Sequence, residues 1–177
     1  LMGLSLIIGS PYYKQSWDDE THFATAYKLS YVIQGKDIEW SKAAQDFVDV
    51  SINRSDTYEE HLEAIAEVDE NGKIVDHVEE NPGILSFIGN IGFLPASIFM
   101  LIARLLNMPF HLMFAAGKLA NLLLYLCVMY FAIKTVKVGK IFMCVLALMP
   151  TTLYLATSYS LDGVVFSFMM LGFSVFL

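Results

Sequence analysis

Residues 110–133 read FHLMFAAGKLANLLLYLCVMYFAI and decide the class of fold. One residue in this run, Lys118, is charged at neutral pH. About 20 apolar residues in a helix cross the hydrocarbon core of a bilayer. The run therefore predicts a membrane-spanning helix, and the chain is expected to be an α-helical polytopic membrane protein.

The sequence after this helix predicts its orientation. Lys134, Lys137 and Lys140 form a short basic loop, and short basic loops lie on the cytoplasmic side. A second apolar stretch, Ile141–Ser158, is long enough to return across the bilayer. A further stretch begins at Gly163. We therefore expect residues 158–162 to lie outside the cytoplasm.

The apolar stretch before the helix leaves two topologies open. It runs from Ile84 to Leu106, contains Arg104, and is interrupted by glycines and a proline (Gly83, Gly89, Gly92 and Pro95). If it spans the bilayer, everything before it is cytoplasmic. If it lies in the interface or re-enters, the preceding region is extracytoplasmic.

That preceding region is acidic. Of the 18 acidic residues, 17 lie between Asp18 and Glu80, although 56% of the chain is hydrophobic. One part of the chain therefore suits water and the other suits lipid. The net charge of −7 belongs to the water-facing part and argues against a nucleic acid partner. The two cysteines, Cys127 and Cys144, lie in apolar runs and are expected to pack there.

The two ends of the chain are apolar as well. Leu1–Gly9 is too short to cross a bilayer by itself, so we interpret it as the end of a first membrane helix. Phe173–Leu177 lies inside another apolar run. We therefore expect the chain to be truncated within membrane helices at both ends.

The acidic region shows three predicted elements. An amphipathic helix begins at Asp18 or Asp19 and runs to about Gln34, a second covers Ile38–Val50, and Ala64–Val78 forms a β-hairpin around Asn71-Gly72. The helices suit a membrane surface or packing within the loop, and the pattern favours neither. Asn53-Arg54-Ser55 matches a glycosylation acceptor, a motif that is frequent by chance.

The strongest candidate for chemistry is the cluster that contains Asp18, Asp19, Glu20 and His22. Consecutive carboxylates repel one another, which suits a general base, and their oxygens could hold a divalent cation. Helix capping with a solvated acidic turn explains the same residues.

Two more charged residues lie in the apolar half. Asp162 is the only acidic residue in the apolar half of the sequence. It is expected where a helix emerges from the membrane, and it could be functional or could cap the next helix. Lys118 lies about two turns inside its helix. At that depth it calls for a partner such as a lipid phosphate, unless it snorkels to the surface.

Five motifs in order resemble one family. They are Asp19-Glu20 with His22-Phe23, Gly92-Phe93-Leu94-Pro95, Gly117-Lys118-Leu119-Ala120-Asn121-Leu122-Leu123, Ala147-Leu148-Met149-Pro150, and Ser158 to Asp162. Together they resemble domain-of-unknown-function family 2142, a group of bacterial predicted membrane proteins. The first motif is also similar to the Asp-Glu motif of the GT-C glycosyltransferases, including the lipid A aminoarabinose transferase. Lys118 departs from the arginine of the family, which keeps the charge but loses bidentate phosphate geometry.

The resemblance implies an organisation and a location. Residues 1–10 would end the first membrane helix, 11–83 would form an extracytoplasmic α+β loop domain, and 84–107 would be an interfacial segment. Membrane helices would cover 108–134, 141–158 and 163–177. The protein would lie in the bacterial cytoplasmic membrane.

The resemblance also implies an activity. A sugar would pass from a polyprenyl-phosphate donor in the lipid to a glycan or lipid acceptor on the outer face. Asp19 would be the general base, with Glu20 and His22 orienting it or binding a cation. Lys118 would hold the donor phosphate, and Asp162 would line the same cavity. The rival hypotheses are a non-catalytic component of polysaccharide assembly or export, and a transporter.

Overall fold

The computed structural model describes residues 1–9, 18–49 and 58–176, and this part of the chain is mostly helical. The predicted glycosylation motif at residues 53–55 and Pro11–Trp17 lie outside the described residues. The elements, in chain order, are α1 (Met2–Gly9), α2 (Asp19–Val32), β1 (Ile38–Ser41), α3 (Lys42–Asp49), α4 (Tyr58–Asn71), β2 (Val75–Glu79), a 3₁₀ segment (Ile84–Phe93), α5 (Leu94–Leu105), α6 (Phe110–Thr135), α7 (Lys140–Ala147), α8 (Pro150–Ala156) and α9 (Asp162–Phe176).

The first predicted helix of the acidic region is confirmed as α2. Its N-terminal flanking residue is Asp18, and acidic side chains occupy its first turn. Gly35 adopts a left-handed conformation with φ of 68° just after the helix, as expected of a glycine at a helix end. The buried face of α2 carries large aromatic residues, among them Phe23 and Tyr27.

The prediction of one helix over Ile38–Val50 was wrong in its first part. Residues 38–41 form strand β1, and helix α3 begins at Lys42. The Ser41 hydroxyl accepts a hydrogen bond from the Ala44 amide at 3.2 Å. A serine at this position satisfies an amide that the first helical turn leaves unpaired, so it starts a helix there.

The predicted hairpin over Ala64–Val78 was also wrong. The first half belongs to α4, and Asn71-Gly72 ends that helix, with the Gly72 amide donating to the Val68 carbonyl at 2.8 Å. Strand β2 pairs instead with β1, antiparallel, with Trp40 opposite His77. Because β1 lies more than 30 residues earlier, the local turn signal could not reveal this partner.

Helices α2 and α5 run side by side in the same direction. At their starts, the rings of His22 and Phe93 are 5.2 Å apart. At their ends, the Arg104 guanidinium lies 3.5 Å from the centre of the Tyr31 ring and donates to the Ser30 carbonyl at 3.0 Å. A cation at the C-terminus of α2 also complements its dipole. Arg104 thus fastens the C-terminal end of α5 to that of α2.

Helix α6 joins two hydrophobic cores. Its first third, with Phe110 and Phe114, packs against α2, α3 and α5 in an aromatic core. Its remaining length, from Leu122 to Ala132, packs against residues of α1, α7, α8 and α9. The acidic domain and the apolar bundle therefore pack against opposite ends of α6.

The predicted membrane helix over Ile141–Ser158 is present as two helices, α7 and α8, with a break before Pro150. Proline lacks the amide that would continue the ladder. Carbonyls at the break keep partners. The Tyr125 hydroxyl donates to Ala147 at 2.8 Å, and the Thr152 hydroxyl lies 2.8 Å from the Met149 carbonyl and 3.1 Å from the Leu146 carbonyl. Such side-chain bonds let a broken helix persist where water is scarce.

Two helical stretches of the described residues are long and apolar enough to cross a membrane: Ile84–Leu105 and Phe110–Thr135. The second confirms the helix predicted from residues 110–133. The first is not one regular helix, because it consists of the 3₁₀ segment and α5, with non-helical dihedral angles at Asn90. Only 22% of its most apolar 18 residues are buried, against 56% for α6, so most of its side chains face outward.

Candidate functional site

Asp19 lies in the first turn of α2 and is fully buried, with 0% of its surface exposed. Its Oδ1 atom accepts a hydrogen bond from the backbone amide of Tyr159 at 2.7 Å. These two residues are 140 positions apart, so the bond ties the start of the acidic domain to the turn between α8 and α9. A hydrogen bond to an ionised carboxylate is among the stronger kinds.

Lys118 is also fully buried, on α6. Its ammonium group interacts electrostatically with the Asp19 carboxylate and lies 4.7 Å from the centre of the Phe114 ring. The side chain therefore does not snorkel to the surface. Burying a charge is costly unless an opposite charge and hydrogen bonds compensate, and Asp19 supplies the opposite charge.

Tyr159 connects Asp19 to helix α6 through its backbone amide and its hydroxyl. Its hydroxyl donates to the Phe114 carbonyl at 2.6 Å, and its ring packs edge-on against Phe23 at 5.3 Å. Burial, and then the neighbouring Asp19 carboxylate, raise the pKa of the Tyr159 phenol well above its usual range. The phenol therefore keeps its proton and remains a donor.

Small and amide side chains on α6 let the turn approach closely. A Cβ added to Gly117 would lie 2.5 Å from the Tyr159 hydroxyl, so only glycine leaves room for that ring. One helical turn later, the Asn121 amide donates to the Ser158 carbonyl at 2.9 Å. We call Asp19, Lys118, Asn121 and Tyr159 the polar latch, because these four buried residues close α2 onto α6 and the turn.

The other predicted site residues lie around the polar latch without joining it. His22 pairs with Asp18 rather than with Asp19, at 2.8 Å between Nε2 and Oδ2. Glu20 is partly buried in the same helical turn. Asp162 is exposed in the first turn of α9, three residues beyond Tyr159. The structure thus brings Asp19 and Lys118 together and leaves Asp162 near them at the surface.

The cation site that the sequence suggested at Asp19 and Glu20 stays a prediction. In residues 1–9, 18–49 and 58–176, no three His, Cys, Asp or Glu side chains gather in a way that could hold a metal ion. One Asp19 oxygen accepts a hydrogen bond from an amide, and the carboxylate interacts electrostatically with a lysine. We derive no chemical step from a cation here.

Sequence reasoning missed Tyr159 as the partner of Asp19, and it missed Gly117 and Asn121 as contacts of the turn that contains Tyr159. A signal was present for two of them, because Gly117, Lys118 and Asn121 share about one turn of an otherwise apolar helix, where a polar face requires a polar neighbour. Nothing local pointed to Tyr159, since its role rests on a backbone amide.

One comparison with known proteins gives a result. A family model described as "Predicted membrane protein (DUF2142)" matches residues 1–177. It confirms the family that the five motifs predicted. No curated protein and no solved structure matches the chain. The similarity to the GT-C glycosyltransferases stays a prediction.

Proposed function

Because the chain belongs to the DUF2142 family of predicted membrane proteins, we propose that it is part of a GT-C-type glycosyltransferase of the bacterial cytoplasmic membrane. The enzyme moves a sugar from a polyprenyl-phosphate donor to a glycan or lipid acceptor on the outer face. The observation that carries the proposal is the polar latch. An acid and a base from distant parts of the chain are buried together where α8 ends and α9 begins. Buried ionisable groups beside membrane segments are costly and often functional.

The proposed reaction assigns a step to each charge. Asp19 accepts the proton of the acceptor hydroxyl, whose oxygen then bonds to the anomeric carbon of the donor sugar. The bond between that carbon and the phosphate oxygen breaks, and polyprenyl phosphate leaves with its negative charge beside Lys118. Because both side chains are closed to water in this structure, the proposal includes a movement of the turn at Tyr159 that admits the substrates.

Two observations support a membrane boundary at the height of the polar latch. The 3₁₀ segment reaches the same turn, since a Cβ on Gly92 would lie 2.8 Å from the Leu161 side chain. Four apolar side chains of this segment are exposed, namely Ile84, Leu85, Ile88 and Ile91. Such residues suit the membrane interface. We therefore propose that residues 84–107 are interfacial and that the acidic domain is extracytoplasmic.

Cysteine labelling tests this topology. In a background without Cys127 and Cys144, Glu70→Cys places a thiol on the exposed end of α4, and Lys137→Cys places one in the basic loop. We expect a membrane-impermeant reagent to label the first variant in intact cells and the second only after lysis. The reverse pattern would put the acidic domain in the cytoplasm.

An assay of sugar transfer tests the proposed role of Asp19 as general base. A general base typically contributes about 10²–10⁴-fold to a rate, so Asp19→Asn should reduce labelled sugar incorporation into the cell envelope by about that factor. Asn can still accept the Tyr159 amide bond, and transfer is compared per folded molecule because loss of the buried charge also lowers stability. Asp18→Asn is the matched control because Asp18 is exposed and pairs with His22. Wild-type transfer by Asp19→Asn would exclude the base role.

One observation favours a second candidate, a non-catalytic component of polysaccharide assembly. Asp19 is buried and bonded to Tyr159, as a structural anchor would be. On that reading, Asp19→Asn lowers the amount of folded protein and leaves the transfer rate per folded molecule unchanged. Protein amount measured by fluorescence-detected gel filtration, together with transfer, separates the two candidates.

A further inference from the structure

The acidic domain contains a polar cleft near the C-terminal end of α2, whereas Asp19 of the polar latch lies at the start of that helix. Two cavities, of about 590 Å³ and about 290 Å³, share the residues Tyr31, Glu39, Arg104 and Asn107. Together they form one cleft between α2, β1 and the link from α5 to α6. Ligand sites in proteins typically have volumes of about 300–1,000 Å³, so the cleft is large enough for one or a few sugar rings.

The charges in the cleft are mixed. Glu39 and Asp69 supply carboxylates, while Arg104, Lys73 and Lys36 supply cations. A divalent cation is bound by oxygen ligands without adjacent cations. A phosphate site pairs cations and amides with the anion and avoids carboxylates. A sugar hydroxyl donates and accepts at once, so it suits a cleft that holds both kinds of group.

Two polar groups of the cleft, Arg104 and Asp69, are held in place before any ligand arrives. Arg104 donates to the Ser30 hydroxyl, the Ser30 carbonyl and the Gln34 side chain, all at 2.9–3.0 Å. Both oxygens of Asp69 bond to His111, at 2.9 Å and 2.6 Å. Fixed side chains lose little conformational entropy when a ligand binds.

Tyrosine and phenylalanine rings form the inner wall of the cleft. Tyr27 and Tyr31 line it from α2, and Phe110 lines it from α6. These rings are almost fully buried, with 2%, 6% and 8% of their surface exposed, so they form a rigid base under the polar groups of the cleft. Tyr27 follows Asp19 by eight residues on the same helix, which places the cleft about 12 Å along α2 from the polar latch.

We propose that this cleft is an acceptor subsite that binds a saccharide. The inference rests on the proposed glycosyltransferase function, in which an acceptor glycan must be held on the water side of the membrane. A subsite about two helical turns from Asp19 would hold the body of a glycan while its end extends toward the polar latch. Glu39, Lys73 and Asn107 contact the saccharide, and Arg104 and Tyr31 form the floor.

Direct binding tests the subsite. The full chain is placed in lipid nanodiscs, because detergents with maltoside head groups would compete with the ligand. Calorimetric titration then uses two probes, the neutral trisaccharide maltotriose and the acidic trisaccharide trigalacturonate. We expect saturable binding of one probe or both in the millimolar range, and the preferred probe gives the charge of the acceptor.

Matched variants locate the binding. Glu39→Gln and Lys73→Ala alter the cleft, while Glu63→Gln and Lys42→Ala make the same changes on exposed residues outside both cavities. The cleft variants should weaken binding at least about tenfold and the controls should not. Absence of saturable binding for both probes, or equal binding by all variants, would overturn the subsite. Binding by Asp19→Asn should equal wild type, so failure of the catalytic proposal would leave this test readable.

Discussion

The buried charges of the polar latch predict a strong energetic coupling between Asp19 and Lys118. Both side chains are 0% exposed, and they attract each other in an environment closed to water. Removing one member of a buried charged pair typically costs about 3–5 kcal/mol, because the other charge stays buried. We expect Asp19→Asn to cost about 3 kcal/mol, at the lower end of that range. Asn retains an acceptor for the Tyr159 amide, and a stranded lysine can release its proton.

The double variant shows whether this cost comes from the pair. Asp19→Asn combined with Lys118→Met leaves no buried charge at either position, and replacing a buried pair by neutral groups is often neutral for stability. We expect the double variant to unfold within about 1 kcal/mol of wild type. The two single changes would then be non-additive by several kcal/mol, well above the deviation of about 0.5 kcal/mol seen for independent sites.

The assay is reversible unfolding of the full chain in dodecylphosphocholine micelles by added sodium dodecyl sulfate, followed by far-ultraviolet circular dichroism. Lys137→Met is the control, since it removes the same charge from an exposed position in the basic loop. Free energies of unfolding that add within about 0.5 kcal/mol would show that Asp19 and Lys118 do not stabilise each other. The description of a latch would then be wrong.

Two further predictions concern the contacts around the latch and the sheet. Gly117→Ala should lower stability by about 1–3 kcal/mol, because its Cβ would overlap the Tyr159 hydroxyl. Gly172→Ala is the control, since it has open space around it and should not lower stability. Equal melting temperatures for the two variants would contradict the prediction. Lys28 lies 2.7 Å from Glu79 and lowers the pKa of that carboxyl, so the pair contributes stability above the ordinary pKa of 4.5 and loses it as the pH falls through the lowered value. Glu79→Gln should therefore be less stable than wild type by about 0.5 kcal/mol at pH 7 and equally stable at strongly acidic pH, and a difference that grows on acidification would refute the assignment.

The sequence predicted the elements whose signals are local and strong. Residues 110–133 form a long apolar run with one charged residue, and α6 follows it closely. The acidic first turn and the terminal Gly35 marked α2. Lys118 and Asp19 were each singled out by their charge. The family resemblance implied that they serve one site, but their direct pairing could not be predicted because it depends on how α2 packs against α6.

Local signals failed where a distant partner decides the structure. Asn71-Gly72 is a strong hairpin signal, yet it ends α4, because the preceding residues favour a helix and β2 pairs with β1. The spacing of apolar residues in 38–50 fits an amphipathic helix throughout, and only pairing with β2 makes the first four residues a strand. Pro150 was visible in the sequence as a residue that breaks a helix. The sequence did not show that the Tyr125 hydroxyl would bond to the Ala147 carbonyl at the break.

Helix α6 has a mechanical consequence. Its 26 residues form a rod about 39 Å long, at about 1.5 Å per residue. One end packs in the aromatic core of the acidic domain, and the other end packs in the apolar bundle. A tilt of about 5° at the bundle end would swing the far end by about 3 Å, given that length. Changes in bilayer thickness, which membrane helices accommodate by tilting, would therefore be transmitted to the acidic domain as a displacement of its whole body.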